Sequence, residues 1–222
     1  MQRFFRRFLS LVWGLFLYGL GVTLCIQANI GCAPWDTLHM GLAAKLGATV
    51  GQMSISIGAI LCLLVFLLHE KLGLGTLFNM LLIGTFIDLI RASNIVPMIE
   101  NFWIGIATMV SGLFIIAIGS YFYILSGFCA GPRDSLMVSV RRRTHFPVGV
   151  CRALVEGTVL AIGYFLGGQV GVGTIIAVFG IGLCVQIVFG LLRFDPAKIK
   201  HETLADTWAN LTKRHKPGAS SA

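Results

Sequence analysis

Charge is what this sequence has least of, acidic charge above all. Of 222 residues, 12% are charged and only nine are Asp or Glu, against 56% that are hydrophobic. A soluble domain cannot present that composition to water, because its exterior has to be largely polar. Paired cysteines are missing too. Cys25, Cys32, Cys62, Cys129, Cys151 and Cys184 form no CxxC pair and no metal-ligand spacing, so the pattern supports no disulfide framework, redox motif or metal site. No cofactor and no metal is expected. The alternating ten-residue segments of a membrane β-barrel are absent as well.

What the chain does have is apolar length. Mean hydropathy is +0.86, and the apolar residues come as runs rather than stripes. Six runs, at 8–28, 50–68, 74–90, 102–126, 148–166 and 172–192, come close to the length of about 20 residues that crosses a bilayer core as a helix. Helices are required, because every backbone polar group must be satisfied within its own segment. The expected fold class is all-α: a polytopic membrane protein with six transmembrane helices.

The net charge of +8 would suggest nucleic acid in a soluble protein. Here it follows topology, and no nucleic-acid partner is expected. With a cytoplasmic N-terminus and six spans, Arg3, Arg6, Arg7, Lys71, Arg133, Arg141, Arg142, Arg143 and every Lys and Arg from Arg193 onward lie inside. Only Lys45 and Arg91 lie outside, with Arg152 near the start of the fifth run. The positive-inside rule predicts this asymmetry and places both termini in the cytoplasm. The first run looks like a signal peptide, but its counterpart in the fourth run makes it part of the fold.

That counterpart comes from an internal repeat. Shifting the sequence by 98 residues without a gap lays Gly14-Leu15-Phe16 on Gly112-Leu113-Phe114 and Gly21 on Gly119. It also lays Pro34-Trp35-Asp36 on Pro132-Arg133-Asp134, and Gly73-Leu74-Gly75-Thr76 on Gly171-Val172-Gly173-Thr174. The chain thus divides into a first unit at 8–91, a second at 102–193 and a basic amphipathic cytoplasmic tail at 195–222. Three spans per unit is an odd number, so the second unit must run inverted, an arrangement that recurs in transporters with the working site near the midplane.

Each unit also holds a short helix that is too short to span, from Pro34 to Leu46 and from Pro132 to about Thr144. Proline in the first turn and an Asp beside it suit any helix start. The sharper reading is that these positive helix ends face a permeation path. Asp36 and Asp134 would then compete with an anion, which favours a proton, a cation or a neutral solute, although Arg133 complicates the second site. In the Gly-x-Gly-Thr segments the glycines read as tight turns and the Thr as a cap. Small residues at Gly163 and Gly167 read as helix packing.

Ionisable groups inside spans are costly and are functional candidates by default. Glu156 is one, with Arg152 a turn earlier and able to pair with it. Its counterpart Gly58 carries no charge. Asn79 and the equivalent pair Asp88 and Gln186 are secondary candidates, and the substrate or pore candidates are Asp36, Asp134, Arg133, Arg152 and Glu156. No Ser/His pair or His cluster lies within the spans, so no enzyme is expected. The two Asp motifs are expected near opposite membrane faces unless both short helices re-enter.

The paired Pro-x-Asp motifs, Arg152 with Glu156, Gly167-Gly168 and both Gly-x-Gly-Thr segments together resemble the bacterial YczE/YyaS/YitT family of membrane proteins, its YczE branch most of all. The resemblance covers about residues 10–192 and stops before the tail. It implies a multi-pass protein of the bacterial cytoplasmic membrane and no defined substrate. The expected function is a small-solute or ion transporter or permease with its site at the repeat interface. The alternative is an accessory or scaffold protein acting through its basic cytoplasmic face. Expected partners are the lipid bilayer, anionic headgroups at Arg141, Arg142 and Arg143, and an unknown small solute; a homo-oligomer is left open.

Overall fold

The computed structural model describes residues 2–68, 73–128, 131–196 and 199, without the side chains of Gln2, Arg3, Asp134, Val138 and Val148. The tail expected at 195–222 falls almost wholly outside the described residues. Those residues form eight helices and no strand: α1 (Gln2–Gln27), α2 (Pro34–Leu46), α3 (Val50–Leu67), α4 (Leu74–Ala92), α5 (Phe102–Leu125), α6 (Pro132–Thr144), α7 (Val148–Phe165) and α8 (Val172–Leu191). Five of them, α1, α3, α4, α5 and α8, are long and apolar enough to cross a membrane. The run expected at 148–166 forms α7, which reaches that standard only together with α6, across a bend of 119°. Arg152 and Glu156 lower its apolar character. Many large apolar side chains lie outside, Phe165, Phe179, Leu191 and Trp103 among them, as expected for a surface that faces lipid.

Glycine fixes the centre of the bundle. Helices α1 and α5 run antiparallel with their backbones nearly touching. A Cβ on Gly21 would stand 2.6 Å from the Gly112 carbonyl oxygen, and one on Gly119 would stand 2.7 Å from that of Gly14. Only hydrogen fits at these points, and the close approach lets dispersion contacts build along both helices. The Arg7 side chain ties the start of α1 to the end of α5 by donating to the Ser126 carbonyl at 2.7 Å.

The two halves exchange equivalent contacts. The Gly75 N–H donates to the Phe128 carbonyl at 2.7 Å, and the Gly173 N–H donates to the Ile30 carbonyl at 2.7 Å. These four residues are 98-residue counterparts with the roles of the halves reversed. Thr76 and Thr174 each accept from the glycine three residues earlier, Gly73 at 3.3 Å and Gly171 at 3.2 Å. The caps correspond as well. Helix α2 ends at Gly47 and α6 at its counterpart His145, both left-handed, with φ of 63° and 57°. Helix α1 packs on α4 as α5 packs on α8, and α2 on α7 as α6 on α3.

One correspondence fails. Helix α3 packs closely along α4, whereas α7, its counterpart, has no comparable contact with α8. Gly51 and Gly84 bring α3 and α4 together, and a Cβ on Gly84 would lie 2.5 Å from the Gly51 carbonyl oxygen. Their counterparts Gly149 and Gly182 have open space where a Cβ would be. These two junctions sit at opposite ends of the bundle. The end of α4 lies with the end of α1, while the start of α7 and the end of α8 lie with the start of α1.

Candidate functional site

Helix α2 starts where Ala33 is extended and Pro34 takes the first turn. Thr37 holds that start in place. Its hydroxyl lies 3.1 Å from the Ala33 carbonyl and 3.3 Å from that of Gln169, and the Cys32 N–H donates to the same Gln169 carbonyl at 3.2 Å. Gly163 and Gly168 let α2 approach α7, since a Cβ on Gly163 would meet the Leu38 backbone nitrogen at 2.6 Å. Gly168 therefore does the packing expected of Gly167, which is left-handed at φ 91° with open space around it. Helix α6 begins in the same way, with Gly131 extended and Pro132 in the first turn.

The first turns of these two short helices meet, so the expected separation toward opposite faces does not hold. The Arg133 guanidinium lies over the Trp35 ring, 5.0 Å from its centroid. Trp35 and Arg133 are counterparts under the 98-residue shift, so here a residue touches its own equivalent. Asp36 is 5% exposed and His39 1% exposed. The i,i+3 spacing sets both on one face of α2, with His39 Nδ1 3.8 Å from Asp36 Oδ1, beyond hydrogen-bond reach.

All three groups border one cavity of about 270 Å³, to which each of the eight helices contributes at least one residue. Among the described residues no hydrogen bond reaches the Asp36 carboxyl or the Arg133 guanidinium. Both ring nitrogens of His39 are buried without a partner. Leaving a buried polar group such as this ring unpaired is expensive, about 1–3 kcal/mol. With the unbonded Asp36 carboxyl and the partly exposed Arg133 guanidinium on the same cavity, it makes an incomplete polar site.

The remaining candidates divide. Arg152 Nε donates to Glu156 Oε1 at 2.8 Å, with side chains 50% and 14% exposed. Arg152 borders the main cavity, and both residues border a smaller one of about 120 Å³ that shares Asp36 and Arg133 with it. Asn79 borders the main cavity from α4. Asp88 does not. It receives the Gly51 N–H at 2.9 Å and the Thr49 hydroxyl, and so holds the start of α3 against α4. Gln186 is exposed on α8 and borders neither cavity. The backbone of Asp134 lies in the first turn of α6, and its side chain lies outside the described residues. The motifs in the sequence do not single out His39, although its i,i+3 spacing from Asp36 is an available signal. Trp35 was noted only as the counterpart of Arg133.

Comparisons with known proteins cover the part of the chain that holds these residues. A family described as "Family of unknown function (DUF6198)" matches residues 5–189. The chain belongs to this family. It is 36% identical over 175 residues to the "Uncharacterized membrane protein YczE" of Bacillus subtilis (strain 168), covering 78% of this chain and 80% of that one. An uncharacterized protein of Haemophilus influenzae is 32% identical over 186 residues, 84% of each chain. YyaS of Bacillus subtilis is 29% identical over 192 residues, 81% of this chain and 90% of that one. No solved structure matches. Family membership and the apolar helices make this a multi-pass membrane protein.

Proposed function

We propose that the protein is a carrier for a small zwitterionic solute, about the size of an amino acid. It would work as two inverted three-span units, with α7 as the sixth span, in the bacterial cytoplasmic membrane and with both termini in the cytoplasm. One observation carries the reading. Asp36 and His39 from one half and Arg133 from the other border a single cavity with their hydrogen-bonding capacity unspent. A solute with an anionic and a cationic end satisfies both charges. The carboxylate accepts from Arg133, whose planar fork suits it, and the ammonium donates to Asp36. The apolar stretch of the wall from Val22, Ile83 and Ile116 suits a short aliphatic body. The Asp36 charge disfavours a simple anion and Arg133 a simple cation, which sharpens the expectation drawn from the Pro-Asp helices alone.

The exchanged Gly75–Phe128 and Gly173–Ile30 hydrogen bonds support the inverted arrangement. The charge asymmetry of the loops supports the orientation. A carrier rather than a channel is favoured because the bundle is tightly packed at its α3–α4 end and loose at its α7–α8 end. Purified protein in liposomes, offered neutral, cationic, anionic and zwitterionic solutes of matched size, should transport the zwitterions preferentially. Absence of both flux and ligand-induced thermal stabilisation across the panel would sink the reading.

A further inference from the structure

We propose that the α7–α8 end closes when the α3–α4 end opens, and that Gln186 then serves as the latch that Asp88 provides here. The proposal rests on the carrier reading and adds its moving parts.

At the closed end, the Asp88 carboxylate receives the Gly51 N–H at 2.9 Å and the Thr49 hydroxyl. Gly51 and Gly84 let the two helices meet backbone to backbone. The 98-residue shift carries this trio onto Gly149, Gly182 and Gln186. This trio is therefore present at the other end, but apart; only the Thr49 hydroxyl has no equivalent there, since its counterpart is Pro147. A Cβ on Gly149 or Gly182 would meet nothing within 4 Å, and Gln186 is exposed.

Two further observations say that the parts are meant to meet. Glycine inside a helix is less favourable than alanine, and nothing in the present arrangement requires it at 149 or 182. Close approach of α7 to α8 would require it at both. The start of α7 is also left without a side-chain cap, whereas α3 has Thr49 and Asp88. The Gly149 N–H is one of the orphan donors of a helix start, and the Gln186 amide oxygen is the acceptor that closure would bring to it.

The two latches differ in strength. A carboxylate accepts more strongly than a neutral amide. That bias favours closure at α3–α4 and is consistent with the arrangement seen. Gly182 and Arg152 border the cavity and are exposed at the open end, while Ser54, Ile57 and Gly58 border it from α3. Exchanging the closed end would therefore move access to the cavity from one end of the bundle to the other.

The test is a cysteine pair in the full chain in native membranes, G149C with Q186C, oxidised mildly and read by mass spectrometry of the linked peptides. Each single variant serves as a control for the native thiols. The disulfide should form well above the single-variant background. Its yield should rise several-fold when the other latch is removed by Asp88→Ala, or when that end is wedged by Gly84→Leu. The Asp88 variant adds no bulk and so covers the case in which the wedge does not fold. A pair that never links above background would overturn the closure. Linking with a yield indifferent to both α3–α4 variants would overturn the coupling between the ends. Because linkage is read without any solute, failure of the carrier reading would appear separately, as coupled linkage in a protein that transports nothing.

Discussion

His39 separates a folding role from a binding role more sharply than any other residue in the site. Its two ring nitrogens are buried without partners, so the imidazole costs the empty protein stability. Replacing it with a leucine of similar bulk removes an unsatisfied polar group, worth about 1–3 kcal/mol. We expect His39→Leu to melt at the same temperature as the wild type or higher in detergent, while losing solute-induced stabilisation. A lower melting temperature would mean that the ring supports the fold. Arg133 gives the complementary case. Its guanidinium lies over the Trp35 ring, 5.0 Å from the centroid, and its planar fork is one that an ammonium cannot copy. Arg133→Lys keeps the charge but loses the fork, and binding measured by calorimetry should weaken about tenfold. Unchanged affinity would reduce Arg133 to a point charge.

At the scale of the helices, the α1–α5 seam should be the least tolerant part of the molecule. A Cβ on Gly21 would come within 2.6 Å of both the Gly112 carbonyl oxygen and an Ile116 side-chain carbon. Gly21→Ala should therefore destabilise by about 1–3 kcal/mol, the usual cost of overpacking. Gly157→Ala on α7, where a Cβ meets nothing, should be neutral or gain up to about 1 kcal/mol from helix propensity. Equilibrium unfolding in mixed detergent would compare them, and equal effects would deny the seam its special packing.

The helices themselves were largely legible in the sequence. The sequence marks the short helices from Pro34 to Leu46 and from Pro132 to about Thr144, because proline favours the first turn of a helix. That their first turns touch was not legible. Thirteen residues of mixed polarity fit an interfacial helix as well as a buried one, and the Arg133–Trp35 contact joins residues nearly half the chain apart. The Gly-x-Gly-Thr segments show the same limit. Thr76 and Thr174 cap locally, as the pattern suggests, but the glycine before each of them donates its N–H to a carbonyl of the other half, and no local pattern encodes that partner. The sequence marks Glu156 as a charge within a span that Arg152 can pair, and the structure pairs the two at 2.8 Å, beside the site rather than at its centre.

For the molecule as a whole, orientation decides which side of the membrane the loose α7–α8 end faces. The start of α7 lies beside the Arg141–Arg143 cluster that ends α6, and the positive-inside rule assigns such a cluster to the cytoplasm. Lys45, in the last turn of α2, belongs to the opposite end of the bundle and is exposed. A membrane-impermeant maleimide applied to intact cells should thus label K45C, and should label R142C only after the membrane is opened. The five described native cysteines are buried, so their background labelling should be low, and the unsubstituted chain measures it together with Cys129. The reverse pattern would turn the molecule over and make the loose end an external entrance. Labelling of both positions in intact cells would indicate mixed orientation, which the one-sided distribution of Lys and Arg argues against. With the expected pattern, the proposed carrier would open its Asp36–Arg133 cavity to the cytoplasm in the arrangement seen, and the tight α3–α4 end would be its external gate. Solute added outside should then protect a cavity position such as S120C from cytoplasmic labelling only in a protein whose external gate can open, so Asp88→Ala should strengthen that protection.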